Sequence, residues 1–572
     1  MNILGLLSNG DNPAACLIEN GKLTFFAEEE RFCRIKKAPN RRPINAIKAA
    51  LEWSKLKISD IDHIAIGWDN NKYPNYMNHF YKQSFNDQDI IGSAIQSIQL
   101  IEYNPELEKR MLAYALKSGG IEGDLPQVSF YSHHLSHAAS AYYLSGFKEA
   151  IVVALDAHGE ENTTVIYRGQ DHELIELEKY VQPESLGWFY SAFTEFLGLK
   201  ANSGEGKVMG LAPFGSANMK IRNKLDKVLW WEEEKYKIDS SYICQGKREY
   251  SQRFTDKLIL EFGSPRTPES EILQYHMDLA YEVQRKLEEI VVKIVNKYVK
   301  LTGIRDICIS GGIGMNCKMN GEIHQLPEVD RLFLNPASND AGTAIGAALL
   351  CCKDLHISPL KNKLEHAYWG PEYSDIEIEK IILNNKLNYR YVENIEKFAG
   401  EQLHYGKIIA WFQGRMEFGS RSLGNRSILA NPTIPEMKDK VNGTIKYREY
   451  FRPFAPSIME EYQQDYLYHS FESPFMIVAD YINNEKKALI PSVVHVDSSI
   501  RHQTVSKGTN YRYWSLINEF YKLSKVPVLL NTSFNVRGEP IVCSPQDAIR
   551  CFYGTGLDIL IMGNYVIEKN NG

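Results

Sequence analysis

Between Trp411 and Ser457 the chain carries five arginines and three lysines among glycines, aromatics and prolines. The text runs WFQGRMEFGSRSLGNRSILANP and then KDKVNGTIKYREYFRPFAPS. A solvated basic face would alternate with Glu and Asp and need no glycines, whereas Gly414, Gly419 and Gly424 let the backbone approach a ligand closely. Guanidinium forks such as Arg415, Arg421, Arg448 and Arg452, with Lys446 between them, suit phosphate or carbonyl oxygens gripped in pairs. A second constellation lies in YSHHLSHAASAYYLSG, where His133 and His137 stand four residues apart in a helical pattern and so share one face. Asp156 ends an apolar strand 19 residues later, and Asp340 sits in the glycine-bounded turn NPASNDAG. Two His and two carboxylates with open positions suit a divalent transition metal, Fe or Mn more than structural Zn.

Further polar groups stand at turns. Gly311, Gly312 and Gly314 follow the strand RDICIS and precede a helix, so backbone N–H groups there can meet a phosphate. SGEGKVMGLAPFG sets Glu205 and Lys207 between glycines. PSVVHVDSSIRHQTV supplies Arg501, and the apolar strand VPVLL ends in Asn531, Thr532, Ser533 and Asn535, small polar fixtures suited to a pocket mouth.

The elements that must position these groups repeat. Residues 3–7, AACLI and KLTFFAEEE form a strand meander with polar turns, and AIVVALD, TTVIY and HELIELEKY form another about 150 residues later. Two such meanders imply a duplicated α/β domain. The longest helical pattern, 272–303, ends at Gly303 and feeds the strand that opens onto the 311–316 turn. A polar, Pro/Gly-containing stretch at 356–372 marks a linker, which gives domains at 1–355 and 373–572. A chain of 572 residues is too long for one growing core.

Composition narrows the function. A net charge of −6 excludes a broad nucleic-acid-binding surface, so the basic cluster is local. Nine scattered cysteines without a CxxC pair read as free thiols in a reducing compartment. MNILGLLSNGD lacks a basic leader and no apolar run is long enough to span a membrane, so the expected location is cytoplasmic.

Taken in order, LTFFAEEERF, HHLSHAASAY, GEGKVMGLAPFG, SGGIGMNCKMN, FQGRMEFGSRSLGNRSILANP, REYFRPFAPS, HVDSSIRHQTV and NTSFNVRGEPIVCSP resemble the ATP-dependent O-carbamoyltransferases, the family of the nodulation-factor, cephamycin and tobramycin enzymes. The resemblance implies a duplicated actin-like/sugar-kinase-like N-terminal domain for carbamoyl transfer and an α/β YrdC-like C-terminal domain. In such enzymes the C-terminal domain forms carbamoyl-adenylate and pyrophosphate from carbamoyl phosphate and ATP. An acceptor hydroxyl then attacks the carbamoyl carbon in the N-terminal domain and AMP leaves. It assigns Arg415, Arg421, Lys446, Arg448, Arg452, Arg501, Ser533 and Asn535 to the phosphate-bearing substrates, with Lys446 and Arg421 catalytic. Gly311, Gly312 and Asn316, with Glu205 and Lys207, are assigned to nucleotide. His133, His137, Asp156 and Asp340 are assigned a divalent metal, Fe(2+) or else Mn or Mg, that binds phosphate or polarises the carbonyl.

One departure stands out. The family pattern has His in the first loop, where this chain has SNGDNPAAC and Asp11; the second loop, DAHGEE, offers His158. His158, with Asp11 as the alternative, is therefore the expected base. The expected partners are carbamoyl phosphate and a hydroxyl-bearing small molecule, with homodimerisation as a further expectation and neither nucleic acid nor membrane. Segment 70–125, rich in Tyr, Asn and Gln, is the expected acceptor wall. A sugar-kinase-like phosphotransferase or a non-catalytic nucleotide-binding protein would leave the arginine-rich half unexplained.

Overall fold

A computed structural model of the chain describes residues 1–8, 10–72, 104–244, 252–357 and 363–569. The expected acceptor wall at 70–125 therefore lies partly outside the described residues. The chain divides into two compact units, residues 1–24 with 40–363 and residues 25–39 with 364–572. The division near residue 363 falls inside the expected linker, but residues 25–39, expected in the first domain, belong to the second unit. The reason is visible in their bonding: Phe26 N–H donates to Trp369 O at 3.0 Å and Glu28 accepts from Gly419 N–H at 2.8 Å.

The first sheet contains β1 (Asn2–Leu7), β2 (Ala14–Glu19), β3 (Lys22–Glu28), β4 (His63–Ile66) and β5 (Gln127–Phe130), in the order β3-β2-β1-β4-β5. β1 runs antiparallel to β2 and parallel to β4, which is parallel to β5. The second sheet uses β6 (Glu149–Gly159), β7 (Asn162–Gln170) and β8 (Glu173–Val181). After a small hairpin, β9 (Leu229–Glu232) and β10 (Lys235–Ile238), it adds β11 (Asp306–Ser310) and β12 (Arg331–Leu334). Its order is β12-β11-β6-β7-β8, with β6–β7–β8 antiparallel and β6–β11–β12 parallel. Both sheets thus have the same topology, and the duplicated actin-like, sugar-kinase-like plan read from the sequence is the one observed.

The two repeats meet through the helices that follow β5 and β12, His133–Ser145 and Thr343–Asp354. Both are buried on nearly every face, and small residues permit it. A Cβ on Gly346 would lie 1.7 Å from Ser136 O, and one on Gly5 would lie 2.1 Å from Ala344 O. The long helix Gln274–Thr302 lays a stripe from Leu279 through Val283, Leu287, Ile290 and Ile294 to Tyr298 into the core and ends at Gly303, φ +75°.

The second unit is α/β with a mixed sheet, the observed counterpart of the α/β fold expected there. It contains β13 (Arg390–Tyr391), β14 (Ile409–Phe412), β15 (Arg426–Ala430) and β16 (Ala455–Met459). A short pair, β17 (Asp480–Tyr481) and β18 (Ser499–Ile500), precedes β19 (Gln503–Val505), β20 (Val528–Ser533), β21 (Ile559–Met562) and β22 (Tyr565–Glu568). The eight-stranded order is β13-β22-β21-β14-β15-β20-β16-β19. Fully buried Trp411, Phe412, Ile428, Leu529 and Ile561 read as continuous apolar strands because they form the central core of this unit. Among the described residues no helix is long and apolar enough to cross a membrane.

Candidate active-site centres

In the first unit, His133 and His137 lie one turn apart on the buried helix, Asp156 lies near the end of β6, and Asp340 opens a short 3₁₀ turn before the next helix. One ligand atom from each of the four falls within 4.8 Å of the others. His133 Nε2 and His137 Nε2 are 3.1 Å apart, and Asp156 Oδ2 is 3.3 and 3.1 Å from them. The ladder between β6 and β7 shifts register between Leu155 and Gly159, and this irregularity turns Asp156 out of regular pairing.

The surroundings fix the tautomer of His133. His133 Nδ1–H donates to Gly67 O at 3.1 Å, which leaves the Nε2 lone pair facing the cluster. Three lone-pair-bearing atoms that close repel one another unless a proton or a cation lies among them. Burial opposes charging His133, but the hydrogen bond with Asp156 and the charges of Asp340, Asp156 and Glu160 raise its pKa to about 9. His137 is lowered by burial and then by His133, and His134, buried beside them, is pushed down to about 3 by the same two causes. Burial also opposes the Asp156 carboxylate, yet hydrogen bonds from both histidines hold it well below the usual range. The donor set, its burial and the tautomer of His133 all fit a divalent cation.

Glu160, which sequence reading missed, sets this geometry. It adopts φ +46° in the turn after β6, is buried, and accepts from His133 N–H at 3.0 Å and Asp69 N–H at 2.8 Å. Its carboxylate therefore caps the helix that carries both histidines. No sequence periodicity signals such a role.

His158, two residues beyond Asp156, is half-buried with its ring 6.0 Å from both Trp68 and Trp188. Asp11 lies in the β1–β2 loop between Gly10 (φ +84°) and Asn12 (φ +62°), the topological counterpart of the β6–β7 turn. Gly311 and Gly312 pack against the end of β6: a Cβ on Gly311 (φ +87°) would lie 2.1 Å from Leu155 O, and one on Gly312 3.1 Å from Asp156 Oδ1.

The far end of that turn is different. Asn316 caps the helix Cys317–His324 and donates to Gln284 Oε1 at 2.9 Å, and Tyr190 OH donates to the same oxygen at 2.7 Å. Glu205 belongs to this neighbourhood: it and Glu288 act on the Tyr190 hydroxyl, and it accepts from Ser191 Oγ at 3.3 Å. Burial, then Glu322, raises Glu288 to about 7 despite a hydrogen bond from Gln284. Glu205 and Lys207 were expected on a glycine-rich loop; they lie instead on a helix, Glu205–Leu211, because burying Val208 and Leu211 outweighs the cost of Gly206.

In the second unit several of the cations named from the sequence act on one another electrostatically. Lys446 ends a π-helical turn and is buried, and Tyr447 after it adopts φ +45°. Its ammonium donates to Asn535 Oδ1 at 2.7 Å, Asn535 O at 2.9 Å, Ser533 Oγ at 3.3 Å and Ser533 O. Burial, then Arg448, Lys36 and Arg452, hold its pKa well below the ordinary lysine value. Arg448 lies 4.1 Å over the Phe454 ring, and burial with Arg452 and Arg501 brings it down to about 9. Burial lowers Arg452 too; Glu449 opposes this, and Arg501 and Arg537 reinforce it. Glu449 stands 3.8 Å from Arg452 and 3.9 Å from Arg537. Arg421 joins the cluster through Lys36, an exposed residue whose ammonium is desolvated by the protein around it and repelled by Arg31, Arg452 and Arg421 against Glu30. Arg415 bonds Trp369 O at 2.7 Å and Gly370 O at 3.1 Å and lies 5.4 Å from the Trp369 ring.

A doubly repeated actin-like fold holding a His/Asp centre, joined to a mixed α/β unit holding a cation-lined centre, defines a two-part α/β protein of the sugar-kinase-like type. The carbamoyltransferase N-terminus profile matches residues 2–349 and the carbamoyltransferase C-terminus profile residues 400–569, and the chain belongs to the carbamoyltransferase family. Nodulation protein NolNO of Sinorhizobium fredii is 35% identical over 97% of this chain and 78% of its own. An uncharacterized protein of Synechocystis sp. is 34% identical over 99% and 97%, and nodulation protein U of Rhizobium tropici 27% over 97% and 94%. Full-length HypF in its phosphate- and nucleotide-bound form overlaps at 14% identity over 63% of this chain and 56% of its own, with a TM-score of 0.34.

Proposed function

We propose that the chain is an ATP-dependent O-carbamoyltransferase acting on a hydroxyl of a sugar or natural-product acceptor. The observation that carries this reading is the cation-lined centre, where Lys446 is buried among Arg448, Arg452 and Lys36 with Glu449 as the facing carboxylate. Such a field is costly for the free protein and is relieved by an anion of several charges.

Mass balance sets the steps. Water releases phosphate from carbamoyl phosphate and leaves carbamate; a carbamate oxygen attacks the α-phosphorus of ATP, and pyrophosphate departs with the bond electrons. Lys446, Arg448, Arg452, Arg421 and Arg501 neutralise the charge that accumulates, and Lys446 also holds Ser533 and Asn535 in place. The acceptor hydroxyl then attacks the carbamoyl carbon, its proton passes to His158, and AMP leaves. His133, His137, Asp156 and Asp340 would hold the divalent cation, Fe(2+) or else Mn or Mg, which supplies Lewis acidity at a phosphate or carbonyl oxygen. The turn of Gly311 and Gly312, packed against Leu155 and Asp156, with Asn316 and Glu205 beyond it, is the part of this unit assigned to the nucleotide.

The decisive assay is pyrophosphate release from ATP that depends on carbamoyl phosphate, followed by mass analysis of hydroxylated acceptors for a gain of one carbamoyl group. Release of ADP would instead make the protein a kinase, and release of phosphate alone a nucleotide switch.

A further inference from the structure

Residues 25–39 lie in the second unit, more than 300 residues before the rest of it. Gly419 (φ +87°) is held there on both backbone groups: its N–H donates to Glu28 Oε1 at 2.8 Å and its carbonyl accepts from Arg31 Nη2 at 2.6 Å. Arg31 is 1% exposed and is steadied by Glu28 and Glu30, each 3.5 Å from its Nε. Arg421 follows Gly419 by two residues. Arg34 grips a second loop: Nη1 donates to Ile541 O at 2.6 Å and Nη2 to Pro540 O at 2.8 Å, with Asp547 3.4 Å from Nε. That loop is tied directly to the cation-lined centre, because Asn535 donates to Glu539 O at 2.7 Å and accepts from Lys446 at 2.7 Å.

We propose that Arg31 and Arg34 are positioning residues of the phosphate-binding centre: the inserted segment clamps the Gly419 and Pro540–Ile541 backbones and thereby sets Arg421, Ser533 and Asn535 in register with Lys446. Two loops about 120 residues apart in sequence are thus located by one short element, which also carries Lys36. This rests on the reading of the cation-lined centre as the site of carbamoyl phosphate and ATP. The clamp acts through carbonyls, so it needs the guanidinium fork as well as its charge.

The test uses the full-length chain and pyrophosphate release dependent on carbamoyl phosphate. Arg34→Ala is expected to lower kcat/KM for carbamoyl phosphate by roughly 10²-fold, the usual effect of a loop displaced by about 1 Å. Arg34→Lys keeps the charge but cannot reach both carbonyls, so it stays at least about 10-fold impaired. Arg550→Ala, which removes a cation paired with Glu539 through its side chain at 3.4 Å, retains wild-type kinetics. If Arg34→Ala does not fold, Arg34→Lys against Arg550→Ala decides. Wild-type kcat/KM in Arg34→Lys, with Lys446→Met impaired, overturns the clamp. Wild-type kinetics in both overturns the phosphate-site reading beneath it.

Discussion

Replacing Lys446 by Met removes the ammonium from the cation-lined centre while keeping most of the side chain's volume. An ammonium about 4 Å from a phosphate charge at an effective dielectric near 20 contributes about 4 kcal/mol, or roughly 10³-fold at 1.4 kcal/mol per decade. The change also takes the ammonium donor from Asn535 O, at a cost of about 1–3 kcal/mol, while Asn535 Oδ1 still accepts from Ser533 Oγ at 2.7 Å and Ser533 O from Asn535 N–H at 3.0 Å. Removing a desolvated amine from among Arg448, Lys36 and Arg452 returns part of that, because burial and like charge already disfavour it. Net destabilisation of about 1–2 kcal/mol follows, a few degrees in melting temperature for a domain of this size. The assay is steady-state pyrophosphate release with carbamoyl phosphate and ATP varied separately, beside a melting curve without ligand. A variant that melts within a few degrees of wild type yet loses about 10³ in kcat/KM supports the argument. Wild-type kcat/KM for both substrates would refute it, since the ammonium would then serve only to brace Ser533 and Asn535.

Three further outcomes follow from the geometry. His137→Ala should lose the divalent cation, read by elemental analysis after metal loading, and block acceptor carbamoylation while pyrophosphate release continues; equal loss of both activities would merge the two centres into one. His158→Asn should slow transfer by about 10²-fold, the usual general-base contribution, and spare adenylate formation, whereas a wild-type rate beside a defective Asp11→Asn would hand the role to Asp11. Gly311→Ala places a Cβ 2.1 Å from Leu155 O at φ +87°, so denaturant unfolding should show a loss of about 3 kcal/mol or more; an unchanged midpoint would mean that β6 and β11 are not held as described.

What the sequence disclosed depended on how local the signal was. The His133/His137 pair was legible because one helical turn links the two rings, and Asp156 because a lone acid ends an apolar strand. The Arg421–Arg452 cluster was legible because glycines and cations alternate within 32 residues. Lys36 and Arg34 were not, because their partners lie at 421 to 547 and no local pattern records a backbone that crosses into another unit. The bonds of Arg415 to the Trp369 and Gly370 carbonyls were not legible either, because their partners lie about 45 residues earlier in the chain. Glu205 and Lys207 misled because Gly206 reads as a loop residue, although a Cβ there meets nothing within 4 Å and the helix is set by its buried neighbours.

The duplication gives the reason for assigning the base and the metal to one repeat. β1 and β6 occupy the same place in sheets of identical order, yet β1 has 6 residues and β6 has 11. The added length carries the irregularity between Leu155 and Gly159, and it is there that Asp156 turns to His133 and His137 and the His158 ring comes within 6.0 Å of both Trp68 and Trp188. The first repeat ends its strand at Leu7 and passes through Gly10 and Asn12, both at positive φ, so Asp11 stands on a turn with no extended strand to aim it. The proposed assignment rests on this contrast: an imidazole 6.0 Å from each of two indoles, two residues from Asp156, against a carboxylate on such a turn. On the proposed assignment the chemistry therefore sits in the second repeat, and moving it to the first is expected to need a longer β1 as well as a change at Asp11.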